Sequence, residues 1–595
     1  MKKSFISLFT FLCIALPSFS QTLFITGDSM AAPKRTLQSG PARGWGMLFP
    51  EYVGNGLSVA NYAINGASTK KYIDSGRWNE SVISRLKEGD YVIIAFGHND
   101  EKAYDPARFA DVNGLFKDNL RKMISQVREK KAIPVLFTQI CRRKFEDGKL
   151  VETHYQSDGA DPTPYHQAVR DVAAETGTAL VDLQALTEKW LNELGEEASK
   201  AYYNWVPEGK YPMCNIKARQ DNTHLSIKGA ETICGMIVNE MKGLFPNLKF
   251  NDETIPPRDD DYMYFDASEF DICGKISEET FSAYDRLPFR SRNVARKKIW
   301  HLFRQSSGIY VRFRTDAPSI RVRWTALFES SMNHQALTGT RGVDLYMLKD
   351  GSWIYAGTGR PRNKVTEAPI IDKFSKEMRE YMLYLPLYDG ISYMEFGVPQ
   401  DCVIARPEVD SPKEGKAIVA YGTSITQGGC ASRPGMNYLS ILSRKLDREF
   451  VNLGFSGNGN LDLDVAQVIA DSDNVGCVVF DYVGNASAED IEERGEKFYR
   501  IIRNAHPDIP IIFLGERIYP NQVPDRTEPA LANVALFKRL KELGENNIYS
   551  TPVFDERDEY RDCTVDGHHL TDYGFQAQAD FLYPFFKKIL GESEP

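Results

Sequence analysis

The strand-like run Thr22-Leu23-Phe24-Ile25-Thr26 opens into Gly27-Asp28-Ser29, which sets a serine hydroxyl where an apolar strand ends. Ligand sites of α/β sheets gather at that carboxyl edge. A serine hydroxyl is a weak nucleophile until a base takes its proton, and Asp221-Asn222-Thr223-His224 supplies one. An aspartate three residues ahead of a histidine lets the carboxylate hold the imidazole while the other ring nitrogen faces the serine. The oxyanion of acyl transfer then needs fixed donors, each worth about 3–4 kcal/mol of barrier. Asn61-Tyr62-Ala63-Ile64-Asn65-Gly66 presents the uncluttered N–H of Gly66, and Phe96-Gly97-His98-Asn99-Asp100 brings the Asn99 amide to the same edge. His98, between Gly97 and Asn99, is expected to shape the loop rather than to move a proton.

The same plan recurs far along the chain. Ile418-Val419-Ala420-Tyr421-Gly422-Thr423-Ser424 is again a strand ending in a serine, and Asn452-Leu453-Gly454-Phe455-Ser456-Gly457 is a second glycine block. Asp566-Gly567-His568-His569 precedes a final helix, and the three-residue spacing from Asp566 selects His569 over His568 as the base. The second amide donor is Asn485, although Ala486 follows it where Asp100 follows Asn99.

Blocks of Ser, Gly, Asn and His in this order resemble the SGNH (GDSL-like) hydrolase superfamily. The resemblance implies Ser29, His224 and Asp221 as one triad, with the N–H groups of Ser29 and Gly66 and the Asn99 amide as its oxyanion hole. It implies Ser424, His569 and Asp566 as a second triad, served by Gly457 and Asn485. Gly44-Trp45-Gly46, Ser75-Gly76-Arg77-Trp78, Gly97-His98-Asn99-Asp100 and Arg142-Arg143-Lys144-Phe145 look like the rhamnogalacturonan acetylesterase branch. That branch implies removal of acetyl groups from pectic sugars. Gly342-Val343-Asp344-Leu345-Tyr346 ahead of Gly422-Thr423-Ser424 looks like a subgroup in which a β-rich domain precedes the hydrolase. The expected substrate is thus an acetylated polysaccharide or oligosaccharide, with a lipid or thioester hydrolase and a glycan-binding protein with one inactive hydrolase domain as alternatives. No metal or organic cofactor is expected. Arg142 and Arg143 follow the strand-like Ile133–Ile140, and arginine binds carboxylates through a planar two-pronged pair. One of the two is expected to engage a uronate near the ester cleaved by Ser29.

Positioning these groups requires parallel sheets. Tyr91–Phe96, Ile133–Phe137, Cys477–Phe480 and Ile511–Leu514 are short apolar runs between longer helix-like stretches, the pattern of buried parallel strands. Helices are expected around Ile227–Leu244 and Phe575–Leu590. Between the two α/β regions, Ile309–Arg314 and Ile320–Trp324 alternate with period two around Asp316-Ala317-Pro318, which predicts antiparallel strands joined by a turn. Further strands flank Asp350-Gly351, and a β-sandwich follows. Trp353 could serve there as a sugar platform, but strand aromatics are more often core.

The resulting fold class is multidomain, two α/β three-layer hydrolase domains of flavodoxin-like type flanking a β-sandwich. The expected boundaries are a signal peptide at 1–20, a first hydrolase at 21–250, the sandwich at 260–410 and a second hydrolase at 411–595. The proline-broken stretches 251–258 and 406–413 read as surface linkers. Lys2 and Lys3 precede an apolar run from Phe5 to Leu16, with small Ser18 and Ser20 before Gln21, so the N-terminus reads as an export signal. The expected location is therefore secreted or periplasmic, with no membrane span. A net charge of −9 excludes nucleic acid as the main partner. The eight cysteines beyond Cys13 are too dilute for a disulfide scaffold, and no Cys-x-x-Cys or His-x-x-x-His pair marks a metal.

Overall fold

The computed structural model describes residues 21–214, 218–518, 526–555 and 562–591. The expected export signal lies outside them. The chain forms two compact units, one of the described residues up to Asp28 with Gly56–Gln139 and His154–Asp182. The other comprises Ser29–Asn55, Ile140–Thr153 and everything described from Leu183 onward.

The first unit holds a parallel five-stranded sheet, in the order Ser58–Asn61, Thr22–Gly27, Tyr91–Ala95, Ile133–Phe137 and Ala179–Val181. Its central strands are almost wholly buried, as expected of strands covered on both faces. Helix Leu115–Glu129 buries Phe116, Leu120, Met123, Ile124 and Val127, one stripe at helical spacing. Counted along the chain, the strand order is 2-1-3-4-5, the doubly wound arrangement that reverses direction between its first and third strands. Ser29 follows the first strand by a single residue, Asp28.

The second unit repeats that order with Arg448–Gly454, Lys413–Gly422, Val475–Asp481, Ile511–Phe513 and Ile548–Ser550, again all parallel. Ser424 opens a short helix, Ser424–Gln427, just beyond the first of these strands in the chain. Helix Ile227–Leu244 forms as expected. The last helix starts earlier than expected, at Asp572, because the Thr571 hydroxyl accepts from the Gly574 N–H at 3.2 Å and caps it. Among the described residues, no helix is long and apolar enough to cross a membrane.

The middle of the chain is an antiparallel sandwich. One sheet runs Tyr262–Asp266, Ile391–Pro399, Ile320–Ala326, Val365–Ile371. The other runs Asp271–Cys273, Tyr310–Thr315, Arg379–Tyr384, Val343–Lys349, Ser352–Gly359. Tyr310–Thr315 and Ile320–Ala326 both form, but they do not pair as a hairpin. The turn between them crosses from one sheet to the other, so Val311 and Phe313 share a core with Val322 and Trp324. Alternation reports which face of a strand is buried, and two facing sheets satisfy it as well as two paired strands. Val343–Lys349 and Ser352–Gly359 do form a hairpin, turning through Asp350 and Gly351 at φ +50° and +76°. Trp353 is packed rather than displayed, and its indole N–H donates to Ser411 Oγ at 2.9 Å.

Five charged side chains seal the second unit. Glu51 accepts from Arg323 and Arg258 at 2.8 Å each, and Glu395 accepts from Arg258 at 2.7 Å and Arg43 at 3.2 Å. The side chains of Glu51, Glu395, Arg43 and Arg323 are 0% exposed. Burial opposes ionisation of Glu395, but the three guanidiniums overcome it and hold its carboxyl down at about 2. Arg258 belongs to stretch 251–258, so that stretch ends in a buried anchor instead of a plain surface linker. The eight described cysteines are all free.

Candidate active site

Asp221 and His224 lie on a strand, Arg219–Leu225, paired antiparallel with Tyr203–Val206. The Asp221 Oδ1 accepts the backbone N–H groups of Thr223 at 2.8 Å and His224 at 3.0 Å, while Oδ2 accepts His224 Nδ1–H at 2.8 Å. Both carboxylate oxygens are used within four residues, which is why the three-residue spacing recurs in the chemistry. His224 Nε2 is then left to accept from Ser29 Oγ, 3.0 Å away. Partial burial opposes the charge on Asp221, but the hydrogen bonds from His224 and Thr223 prevail and hold the carboxyl down at about 2. It stays ionised at any ordinary pH and stabilises the imidazolium formed when Ser29 gives up its proton.

The second constellation has the same dimensions. His569 Nε2 lies 3.0 Å from Ser424 Oγ, and Nδ1 lies 2.8 Å from Asp566 Oδ2. Asp566 Oδ1 accepts the N–H groups of His568 at 3.0 Å and His569 at 2.7 Å. Burial again opposes the Asp566 charge, and the hydrogen bonds from His569 and His568 drive its carboxyl far below the usual range. Ser424 is 4% exposed.

Gly66 and Gly457 adopt φ +73° and +63°, left-handed backbone that a side chain would strain. A Cβ at Gly457 would meet nothing within 4 Å, so that stretch of backbone stands open. Within the first unit, Asn99 is 3% exposed. It donates through Nδ2 to Ala67 O at 2.9 Å and accepts Lys102 Nζ at 2.8 Å. Asn485 accepts the Gly459 N–H at 3.2 Å, which joins it to the second glycine block despite Ala486. That block is tied to the nucleophile's helix by Ser456 N–H, which donates to Gln427 Oε1 at 2.9 Å. His98 Nδ1 pairs with Asp28 at 3.1 Å, both buried.

The arginine pair requires a correction. Arg143 does not present itself to a substrate carboxylate: it is 3% exposed. Its guanidinium donates to Ser199 Oγ at 2.9 Å, to Asn222 Oδ1 at 3.0 Å and to Glu196 O, and it stacks on Trp205, 4.9 Å from the ring centroid. Its backbone N–H donates to Asn222 O at 2.8 Å, and Trp205 Nε1–H shares Asn222 Oδ1 at 2.9 Å. Asn222 lies between the triad's acid and base, so Arg143 and Trp205 position that turn. Arg142 is half-buried and donates to Thr153 O at 3.2 Å.

Other contributors were missed in the sequence. Asp481, the acidic end of an apolar strand, accepts from Thr426 at 2.7 Å, Tyr438 at 2.8 Å and Arg517 at 3.0 Å, fixing the helix that starts at Ser424. The Gly-x-Asp-Leu-Tyr segment works likewise. Asp344 accepts from Arg433 at 2.6 Å and from the Gly435 N–H at 3.0 Å, and Tyr346 accepts from Arg433 at 2.7 Å. Tyr388 O–H donates to the carbonyl of Ser424 at 3.3 Å. The sandwich thus packs against the second catalytic loop.

Parallel sheets of order 2-1-3-4-5 together with serine–histidine–aspartate relays define a serine hydrolase of carboxylic esters. Family models described as "GDSL-like Lipase/Acylhydrolase family" match residues 25–231 and 415–587, and one described as "N-terminus of Esterase_SGNH_hydro-type" matches 262–404. Rhamnogalacturonan acetylesterase RhgT of Bacillus subtilis (strain 168) is 30% identical over 227 residues, 38% of this chain and 92% of the relative. Rhamnogalacturonan acetylesterase of Emericella nidulans is 41% identical over 88 residues, 14% of this chain and 31% of the relative. A crystal structure of a GDSL-like lipase type from Bacteroides ovatus is 32% identical, covers 56% of this chain and 98% of its own, and superposes with a TM-score of 0.53. The chain belongs to the GDSL-like lipase/acylhydrolase family, within the SGNH superfamily.

Proposed function

We propose that this protein is an exported carbohydrate esterase that removes O-acetyl groups from pectic polysaccharide of the rhamnogalacturonan type, using both Ser29 and Ser424. The observation that carries the two-site reading is the second triad, whose two relay distances equal those of the first. The pectic reading rests on the likeness of 227 residues of this chain to RhgT.

At each site the histidine takes the serine proton as Oγ attacks the ester carbonyl. The resemblance to SGNH hydrolases assigns the oxyanion to backbone N–H groups at the serine and at Gly66 or Gly457, with the amide of Asn99 or Asn485. The imidazolium returns its proton to the departing sugar hydroxyl. Water activated by the same histidine then releases acetate from the acyl-serine. Arg142 remains the member of the arginine pair proposed to meet a uronate.

Single Ser29→Ala and Ser424→Ala variants, with acetate release followed on a panel of acetylated polysaccharides, test this. Each variant should lose one activity and keep the other, and the double variant should be inert. If Ser29→Ala abolishes acetate release from every substrate, the second site is not catalytic. A chromogenic acetate ester hydrolysed more slowly than a long-chain ester would favour the lipid reading. N-terminal sequencing of protein recovered from outside the cytoplasm should begin at Gln21.

A further inference from the structure

Among the described residues, His569 belongs to a group of ligand-capable side chains and His224 to none. His334, from the segment after strand Ile320–Ala326, sets its ring centroid 5.5 Å from that of His569. Cys430 approaches from the opposite direction in the chain, just after the helix of Ser424. A Cβ at the preceding Gly429 would sit 3.1 Å from the His569 ring, so this backbone runs directly against the imidazole. One ligand-capable atom from each of His334, Cys430 and His569 lies within 4.8 Å of the others. Among the described residues this is the one group of three or more such side chains placed to share an ion. Cys430 also has φ +74°, left-handed backbone that residues with side chains rarely adopt. Such outliers cluster where a side chain is aimed for a purpose.

We propose that His334, Cys430 and His569 form a binding site for a zinc-like divalent ion, and that the ion reversibly shuts down the second hydrolase site. The inference rests on Ser424 being catalytic. Two imidazoles and a thiolate suit a borderline-soft ion, with water as fourth ligand. Bond lengths of about 2.0–2.3 Å require the three ligand atoms to draw together by roughly an ångström. His334 can supply that movement, since it is half-exposed and its ring bonds the adjacent Asn333 at 2.7 Å. Binding releases the Cys430 thiol proton to solvent and changes no oxidation state. Inhibition follows from His569 itself, because both of its nitrogens are already engaged. An ion on Nε2 displaces Ser424, and an ion on Nδ1 displaces Asp566. Either way the relay is broken, and the first site is untouched.

The test uses the full chain as Ser29→Ala and as Ser424→Ala, assayed on a chromogenic acetate ester while zinc is titrated in and then removed with a chelator. At an ion concentration about ten times its dissociation constant, the Ser29→Ala protein should lose activity about tenfold and recover it with chelator. The Ser424→Ala protein should be indifferent. Adding His334→Ala or Cys430→Ser to Ser29→Ala should abolish the inhibition. Cobalt binding gives a readout independent of turnover: a thiolate-to-cobalt charge-transfer band should appear in the wild-type chain and vanish in Cys430→Ser. If Ser29→Ala is inactive yet the band appears, the ion site stands and the catalytic reading of Ser424 falls. Absence of the band, or its persistence in Cys430→Ser, overturns the proposal.

Discussion

Replacing Arg143 by methionine should separate catalysis from charge recognition. The guanidinium is buried and makes three hydrogen bonds, one of them to Asn222 Oδ1 at 3.0 Å. Methionine preserves much of the contact with Trp205 and the backbone bond from residue 143 to Asn222 O, but leaves Asn222 Oδ1 with the indole as its remaining donor. A charged hydrogen bond contributes about 1.5–3 kcal/mol. If that share is passed to the Asp221–His224 turn, kcat of the first site falls about 10- to 150-fold with little change in KM. Because Arg143 does not reach solvent, a neutral acetate ester and an acetylated pectic oligosaccharide should suffer equally. The assay is steady-state kinetics on both substrates in a Ser424→Ala background, with the same change in Ser29→Ala as a control that should keep its rate. An unchanged kcat with lowered thermal stability would refute the positioning role. A loss confined to the uronate substrate would restore direct recognition.

Asn99→Ala should lower kcat at the first site by about 10²–10³ with KM nearly constant, as loss of an oxyanion donor does, and Asn485→Ala should do the same at the second. Steady-state kinetics in the complementary serine-to-alanine backgrounds would show it, and an unaltered rate would displace either residue from the hole. Burial raises the Asp100 carboxyl to about 8, against the help of Thr69 N–H and O–H. The folded chain therefore keeps a proton that the unfolded chain sheds near pH about 4. Its stabilising contribution is complete below that pH and is lost as pH rises toward about 8. Asp100→Asn should flatten this part of the stability–pH curve, measured as urea midpoints at several pH values. Asp344→Asn weakens the hold on Arg433 and Gly435, so Ser424-dependent activity should be lost on heating before Ser29-dependent activity. Simultaneous loss would sever the link between the sandwich and the second catalytic loop.

Both triads were legible because their key relation is local. An aspartate that caps the N–H groups two and three residues ahead aims its second oxygen at the following histidine whatever surrounds it. The strands carrying the serines were equally legible, being apolar runs that end in turn residues. Arg143 was misread for the opposite reason. Its partners, Ser199, Trp205 and Asn222, come from segments that no periodicity links to it, and a run of three basic residues looks the same whether solvated or buried. The strands Tyr310–Thr315 and Ile320–Ala326 were legible, but their partners in two facing sheets were not, since alternation fixes a face and not a partner. The His334, Cys430 and His569 group has no spacing signature at all, because the fold alone gathers it.

The charges joining residues 29–55 to the sandwich bear on how such a chain can be divided. A gene trimmed to end after Phe250 would keep Arg43 and Glu51 but discard Glu395, Arg258 and Arg323. That cut also opens Arg43 and Glu51 to water, whereas removing a single partner in the intact chain leaves its mate buried and unpaired, at about 3–5 kcal/mol per broken pair. Reverting the partners one at a time meets the same barrier, since every intermediate carries an unmatched charge. The segment that bears the first nucleophile is thus held to the sandwich by charges that can be changed cheaply only together.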